Sequence, residues 1–432
     1  MTSEGLDTAR MWEGHQVTNP EVIVVGAGLA GLACARALRQ SRVRVQLLEA
    51  GDAPGGRVRT DAHEGFLLDR GFQVYLTAYP EGRRVLDLEA LSLRAFHPGA
   101  RVWRGGKLRT LVDPARHPLQ ALGHLFEPVG DLGDKLRVLE LRQQAGSGEL
   151  EDVWHRPQRT SLRYLRDLGF SDAMLEAFLR PFFAGVFLER PLETSSRMLE
   201  FVFRMFATGH AAVPARGMGA IAEQLATQLP AGTLRMHVPV TEVWGHRVRL
   251  EDGEALRADA VVVATDPRTA SGLLLGMPEP AMHAVTCLYF AAPEPPVEGP
   301  WLVLDGEGHG PVNHVAVMSE VSPDYAPRGQ ALICATVLGA TLDEGTLEAR
   351  ARAQLAEWFG SSAVSAWRLL RTDVIPHALP AQPLSILHEP HRPVRLSPGL
   401  YVCGDHRDNA SIDGALTSGR RAAEAVLRDL GR

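Results

Sequence analysis

Residues 22–38 read VIVVGAGLAGLACARAL. Residues 21–25 form an apolar, β-branched run and are predicted to be a strand buried on both faces. Gly26-x-Gly28-x-x-Gly31 follows as a turn, and the Ala/Leu-rich stretch 32–39 reads as helix. Residues 43–48 read as a second strand, so the chain opens as a β-α-β unit and a parallel sheet is expected. In such a unit Gly26 permits the tight turn, Gly28 lets backbone approach a pyrophosphate, and Gly31 lets helix and strand pack closely. The helix N-terminus offers unpaired N–H groups and the positive end of its dipole to phosphates. Glu49 ends the second strand, where a carboxylate accepts both hydroxyls of an adenosine ribose and repels a 2′-phosphate.

The bulk composition bounds the rest. At 432 residues the chain is too long for one ordinary domain, and two are expected, interleaved in sequence. A hydrophobic share of 45% and a net charge of −6 describe a soluble globular protein without the basic stripe of a nucleic-acid binder. Cys34, Cys287, Cys334 and Cys403 form no CxxC pair and have no His at metal-ligand spacing, so they read as buried small apolar residues and no metal is expected. No apolar run reaches the roughly 18 residues that span a membrane. The polar residues 1–20 lack the apolar core of a signal peptide and read as a disordered leader, with cytoplasmic residence as the default.

Along the chain, residues 78–209 change character: helical patches at 160–168 and 173–179 sit among breaks at Pro114, Pro118, Pro157 and Pro181, giving a largely helical insertion. Strand patterns return at 233–243, 247–250 and 260–264, with an Asp252-Gly253 turn between two of them. Longer antiparallel strands are predicted at 285–290, 312–318 and 331–338, an amphipathic helix at 342–359, a short strand at 400–403 and a terminal helix at 414–430. The fold class is therefore α/β, a Rossmann-like dinucleotide-binding domain from 21–77, 210–272 and 395–432. A second domain of mixed or antiparallel sheet plus the helical insertion comes from 78–209 and 273–394.

Three further motifs carry chemistry. EAGDAPGGRVRT places Gly55-Gly56-Arg57 just after the ribose carboxylate, a Gly pair for backbone approach and an Arg suited to phosphate or flavin. GFLLDRGFQVYL (65–76) places Gly71 where a close approach is possible. GDHRDNASIDGALTSGR (404–420) is a loop leading to a helix that opens at Asp413-Gly414-Ala415, with Asp413 near the N-cap. A helix start there stabilises negative charge on a ring edge.

With GxGxxG, Glu49, GGR and the C-terminal Gly404-Asp405 and Gly414-Ala415, the chain resembles the flavin-dependent amine oxidase, phytoene (carotene) desaturase and protoporphyrinogen oxidase superfamily. The likeness touches residues from about 21 to the end and is most specific at the two termini. It implies non-covalent FAD, held in a GR2-type dinucleotide-binding domain. Carried over by position, it implies cofactor contacts from Gly26, Gly28, Leu29, Ala30, Gly31, Glu49, Ala50, Gly55, Gly56, Arg57 and Val58. It adds Gly71, Phe72, Gln73, Val240, Ala264, Thr265, Gly404, Asp405, Asp413, Gly414 and Ala415. Polar candidates near the reacting ring are Arg57, Gln73, Tyr75, His377 and His406, the His406-Arg407-Asp408-Asn409 loop included. Each has a plain alternative as a packing, surface or capping residue.

Within that superfamily the amine oxidase branch carries a lysine near the flavin in the second half of the chain. Here the lysines are Lys107 and Lys135. The C-terminal segment is closer to the desaturase pattern, with Asp413 where that pattern has Glu. The resemblance therefore implies hydride removal from an apolar substrate, isoprenoid or carotenoid in class, with oxygen or a quinone reoxidising the flavin and peripheral membrane contact as a route for such a substrate. Tetrapyrrole or amine oxidation, and a flavin-binding scaffold without turnover, stay open at this level, as does the oligomeric state. The phenylalanines at 178, 182, 183, 187, 201, 203 and 206 are expected to line a tunnel or to form helical core.

Overall fold

The computed structural model describes residues 20–112, 129–340 and 343–432. The expected leader lies outside them except for Pro20, as do Pro114, Pro118 and Leu342. The opening unit forms as its pattern demands. The strand Val22–Val25 is buried on both faces and pairs in parallel with Val45–Leu48 on one side and Ala260–Val263 on the other. Leu234–Arg235 extends the sheet beyond Val45–Leu48, and Leu400–Val402 extends it in parallel beyond Ala260–Val263. Arg395–Ser397 closes it as an antiparallel edge, giving six strands.

The helix Leu29–Gln40 covers one face of this sheet and packs against the terminal helix Ile412–Asp429. Their approach is close because Gly419 lacks a side chain: a Cβ there would lie 2.2 Å from the Ala30 carbonyl oxygen. The helix begins at Leu29, three residues before its predicted start, because the glycine turn is itself tight. Gly26 takes φ +99°, which a side chain disfavours.

A second sheet of seven strands runs in the order Arg368–Pro380, Met282–Ala292, Ala331–Leu338, Val312–Val317, Leu302–Asp305, Gly99–Arg104, Lys107–Val112. Its pairings are antiparallel except Leu302–Asp305 with Gly99–Arg104. Alternation splits its side chains between two cores. Leu288, Phe290, Val315, Val317, Ile333 and Ala335 pack under Leu347, Ala351, Leu355 and Trp358 of the helix Glu344–Phe359. Cys287, Tyr289, Ala316, Leu332 and Cys334 face the opposite way, into the core shared with the dinucleotide-type sheet.

Two departures from the sequence reading concern this sheet. The insertion is not uniformly helical: the hairpin Gly99–Arg104 and Lys107–Val112, turning at Gly105-Gly106, belongs to the sheet. Its alternation is masked by charge, since Arg101 falls on one face of this edge pair and Arg104, Lys107 and Arg109 on the other. Arg368–Pro380 is a strand of 13 residues that Pro376 conceals; as the opposite edge it tolerates a missing N–H. The helical remainder of the insertion includes Leu132–Gly146, Ser161–Asp167 and Ser196–Thr208. It also includes a run from Asp172 to Phe187 whose middle turn, Leu175–Leu179, is π-helical. Pro181 lacks the N–H that would tighten that turn. Among the described residues no helix is long and apolar enough to cross a membrane.

Candidate cofactor and substrate site

One cavity of about 1150 Å³ runs between the two sheets. Its dinucleotide end is built from the glycine turn. Glu49 is held there by two backbone donors: Ala27 N–H to Oε2 at 2.6 Å and Gly51 N–H to Oε1 at 2.8 Å. Each oxygen keeps a lone pair for a further donor. Gly55 N–H donates to the Ala27 carbonyl at 2.8 Å, so the Gly-Gly segment lies along the glycine turn. The two motif glycines differ in what surrounds them. A Cβ on Gly31 would stand 1.9 Å from the Gly26 carbonyl oxygen, while a Cβ on Gly28 would meet no protein atom within 4 Å. Gly28 therefore keeps open space beside the helix N-terminus clear, as a pyrophosphate requires.

Arg57 crosses the cavity wall to the C-terminal motif. It donates to Asp405 Oδ1 at 2.7 Å and to the Ala378 carbonyl at 3.1 Å. Gln73 Nε2 donates to the carbonyls of Arg57 and Arg70, both at 2.9 Å, fixing the segment that follows Gly71. Gly71 allows that segment to pass close to Ile375, whose Cδ1 would be 2.8 Å from an added Cβ. The terminal helix starts on the wall with Ser411, Ile412 and Ala415, Ser411 Oγ accepting from Gly414 N–H at 3.0 Å.

Of the residues singled out in the sequence, Gly26, Gly28, Leu29, Ala30, Glu49, Ala50, Gly55, Gly56, Arg57, Val58, Gly71, Phe72 and Gln73 line this cavity. So do Val240, Ala264, Thr265, His377, Gly404, Asp405 and Ala415. Gly31 and Gly414 do not line it; they are packing glycines, and a Cβ on Gly414 would lie 2.0 Å from the Asn409 carbonyl oxygen. Asp413 is a correction. It does not line the cavity; its carboxylate accepts from Glu81 N–H at 2.8 Å and Gly82 N–H at 3.1 Å, at the start of the helix Pro80–Val85. Burial pushes its pKa up to about 7. The N-cap of the terminal helix is Ser411, whose side chain reaches the third residue on, and Asp413 lies near it as expected, in the first turn.

Two of the polar candidates also lie off the cavity. Tyr75 is fully buried, stands edge-on to Tyr79 at 5.6 Å, and burial raises its phenol well above the ordinary range. His406 is buried behind the wall, over Gly404, and burial lowers its pKa to about 4, so it is neutral. His377 does face the cavity and its Nε2 lies 3.0 Å from Arg268 Nη1, which makes Nε2 the acceptor.

Several wall residues were not among the candidates singled out in the sequence. Asp266 caps the helix Pro267–Leu273 through Arg268 and Thr269 N–H, both at 3.1 Å; an Asp-Pro pair after a buried strand is the cue. Gln382 Oε1 accepts from Ala410 N–H at 3.1 Å. His314 stands in the apolar strand Val312–Val317, on the cavity side of its alternation. Lys135 lines the far part of the cavity from the helix Leu132–Gly146.

Apart from Lys135 and Arg142, that far part is largely apolar. Phe178, Phe182, Phe203, Phe206, Met198 and Val202 are among its walls. Among the described residues lining the whole cavity, the carboxylates are Glu49, Asp266 and Asp405, all in or beside the dinucleotide-type motifs.

A dinucleotide cradle joined to a greasy chamber in one cavity is the arrangement of an FAD-dependent oxidoreductase. The chain belongs to the family of flavin containing amine oxidoreductases, which it matches over residues 29–427. It is 28% identical over 346 residues to the carotenoid phi-ring synthase of Streptomyces griseus, covering 69% of this chain and 65% of that protein. It is 27% identical over 444 residues to the hydroxysqualene dehydroxylase of Rhodopseudomonas palustris, covering 94% of this chain and 98% of that one. In fold it is similar to an oxidoreductase from Methanosarcina mazei, with a TM-score of 0.73 at 19% identity, over 93% of this chain and 99% of that one. FAD is the family's cofactor, and the Glu49 carboxylate, the open space at Gly28 and the helix start at Ser411 suit it.

Proposed function

We propose that this protein removes hydride from an apolar organic substrate of isoprenoid or carotenoid class, in the manner of a desaturase or dehydrogenase, with oxygen or a quinone as the final acceptor. The observation that carries the reading is the continuity of the cavity, from the glycine turn at Gly28 into the chamber of Phe178, Phe182, Phe203 and Phe206. Two relatives whose names denote carotenoid and squalene chemistry support it.

Bound FAD supplies the hydride acceptor; the chain supplies binding, orientation and exclusion of water. In this reading Glu49 takes the ribose hydroxyls, the turn at Gly26–Gly28 and the helix start at Leu29 take the phosphates, and Ser411–Ala415 presents N–H groups to the ring edge that gains charge. The unit holding the cofactor is made of 21–77, 210–272 and 395–432, and the unit holding the substrate of 78–209 and 273–394. The phenylalanine walls keep water from the reacting C–H bond.

An amine substrate is disfavoured by the same walls. A protonated amine needs an anionic partner, and no carboxylate lines the chamber among the described residues. The test is Val138→Trp, a substitution that fills space on the chamber side of the helix Leu132–Gly146. The variant is expected to retain FAD in full and to lose the change in flavin absorption that squalene or a carotenoid produces in the parent protein. Equal responses in both proteins would overturn the reading.

A further inference from the structure

The wall of the apolar chamber includes a buried polar ring for which a purely hydrocarbon-binding site has no use. His314 is 2% exposed and forms part of the cavity wall. Its position is provided for. Gly185 leaves room for the imidazole, since a Cβ there would lie 2.9 Å from Nδ1. The Phe72 ring stands edge-on to it at 4.9 Å.

The hydrogen bonds around His314 fix its tautomer. Asn313 Nδ2 donates to the Pro181 carbonyl at 2.9 Å, which identifies that end of the amide as the NH2 group. The same nitrogen lies 3.1 Å from His314 Nδ1, and an amide nitrogen only donates. Nδ1 is therefore the acceptor and the ring proton sits on Nε2. Burial holds the imidazole pKa down at about 3, so the ring carries no second proton at neutral pH. Nε2 has no hydrogen-bond partner. A buried N–H without an acceptor is a standing cost, and it is relieved when a bound molecule brings an oxygen.

We infer that His314 is a specificity-determining residue whose Nε2–H donates to an oxygen acceptor on an otherwise apolar substrate: a hydroxyl, ether or carbonyl. The inference rests on the reading of the chamber as an apolar substrate site and narrows it. A neutral donor selects against an ammonium, which has no lone pair to offer. It selects against a plain hydrocarbon as well, which leaves the N–H as unsatisfied as before. Asn313 acts through His314 as a positioning residue, holding the tautomer that carries the ring proton on Nε2.

The experiment compares two probes, squalene and the same chain bearing one hydroxyl, by titration of the FAD-loaded protein followed through the flavin absorption spectrum. The parent is expected to bind the hydroxylated chain about tenfold tighter or more. His314→Phe is expected to lose that preference, the ratio of the two affinities falling to about one. His314→Leu, smaller beside Gly185 and Phe72, tests the same donor if the Phe side chain does not fit. A parent without preference, or a preference that survives the substitution, overturns the inference and leaves the chamber reading standing. A parent that responds to neither probe overturns the chamber reading, and this inference with it.

Discussion

Arg57 and Asp405 stand 348 residues apart in sequence and 2.7 Å apart in space. The pair ties the segment after the ribose carboxylate to the loop before the terminal helix, so the first and last motifs of the chain become one wall. Asp405 is nearly buried, with 7% of its side chain exposed against 32% for Arg57. Removing Arg57 leaves a buried carboxylate unpaired, which is the costly half to strand. Arg57→Met is expected to destabilise by about 1–3 kcal/mol, discounted from the fully buried case for the exposure of the guanidinium. Urea unfolding of single and double variants measures the coupling. Additive effects of Arg57→Met and Asp405→Asn would show that the two do not act as a pair.

The glycines of the opening turn separate fold from cofactor. Gly31→Ala drives a methyl into the Gly26 carbonyl, and a loss of about 1–3 kcal/mol or failure to fold is expected. Gly28→Ala meets only open space in the protein. Its cofactor-free form is expected to stay within about 1 kcal/mol of the parent, the cost of losing a helix N-cap glycine. Its FAD affinity should collapse. Thermal unfolding with and without FAD distinguishes the two.

Glu49→Gln removes the charge while keeping an oxygen for the Ala27 or Gly51 N–H. Hydrogen bonds to a charged group contribute about 1.5–3 kcal/mol each, so FAD is expected to bind about tenfold to a hundredfold more weakly. Quenching of flavin fluorescence on titration measures this. The same variant should tolerate a 2′-phosphorylated dinucleotide better than the parent does.

Asp413 links stability to pH. Burial, helped by Glu81 and Asp408, raises its folded pKa to about 7 from the ordinary 3.8. The folded state therefore binds more protons than the unfolded state between those values. Its contribution is fully present below pH 3.8 and is lost as pH rises through about 7. Asp413→Asn keeps an acceptor for Glu81 and Gly82 N–H without the titration. Relative to this variant, the parent is expected to lose at most about 4 kcal/mol between pH 4 and pH 8. A constant difference across that range would contradict the assignment.

The dinucleotide half was legible because its chemistry is written locally. A β-branched run, three glycines and a carboxylate at the next strand end specify the turn, its phosphate space and its ribose partner within 28 residues, Val22 to Glu49. The resemblance extended that to the C-terminal helix, yet Asp413 shows where position alone misleads. Its role depends on Glu81 and Gly82, which only the folded chain brings near. The edge strands of the second sheet were hidden by charge on Gly99–Val112 and by Pro376 in Arg368–Pro380. His314 was invisible for a related reason. A histidine in an apolar strand signals nothing until the alternation of Val312–Val317 is fixed against the helix Glu344–Phe359 on one side and the cavity on the other.

The most direct test of the account is anaerobic reduction of the bound flavin, read from the loss of its oxidised absorption band. Squalene-class or carotenoid-class isoprenoids, a porphyrinogen and a diamine are offered in turn to the FAD-loaded protein. The expected result is bleaching by an isoprenoid and none by the other two, with colour restored on admitting oxygen or a quinone. Bleaching by the diamine or the porphyrinogen while every isoprenoid leaves the band unchanged would contradict it.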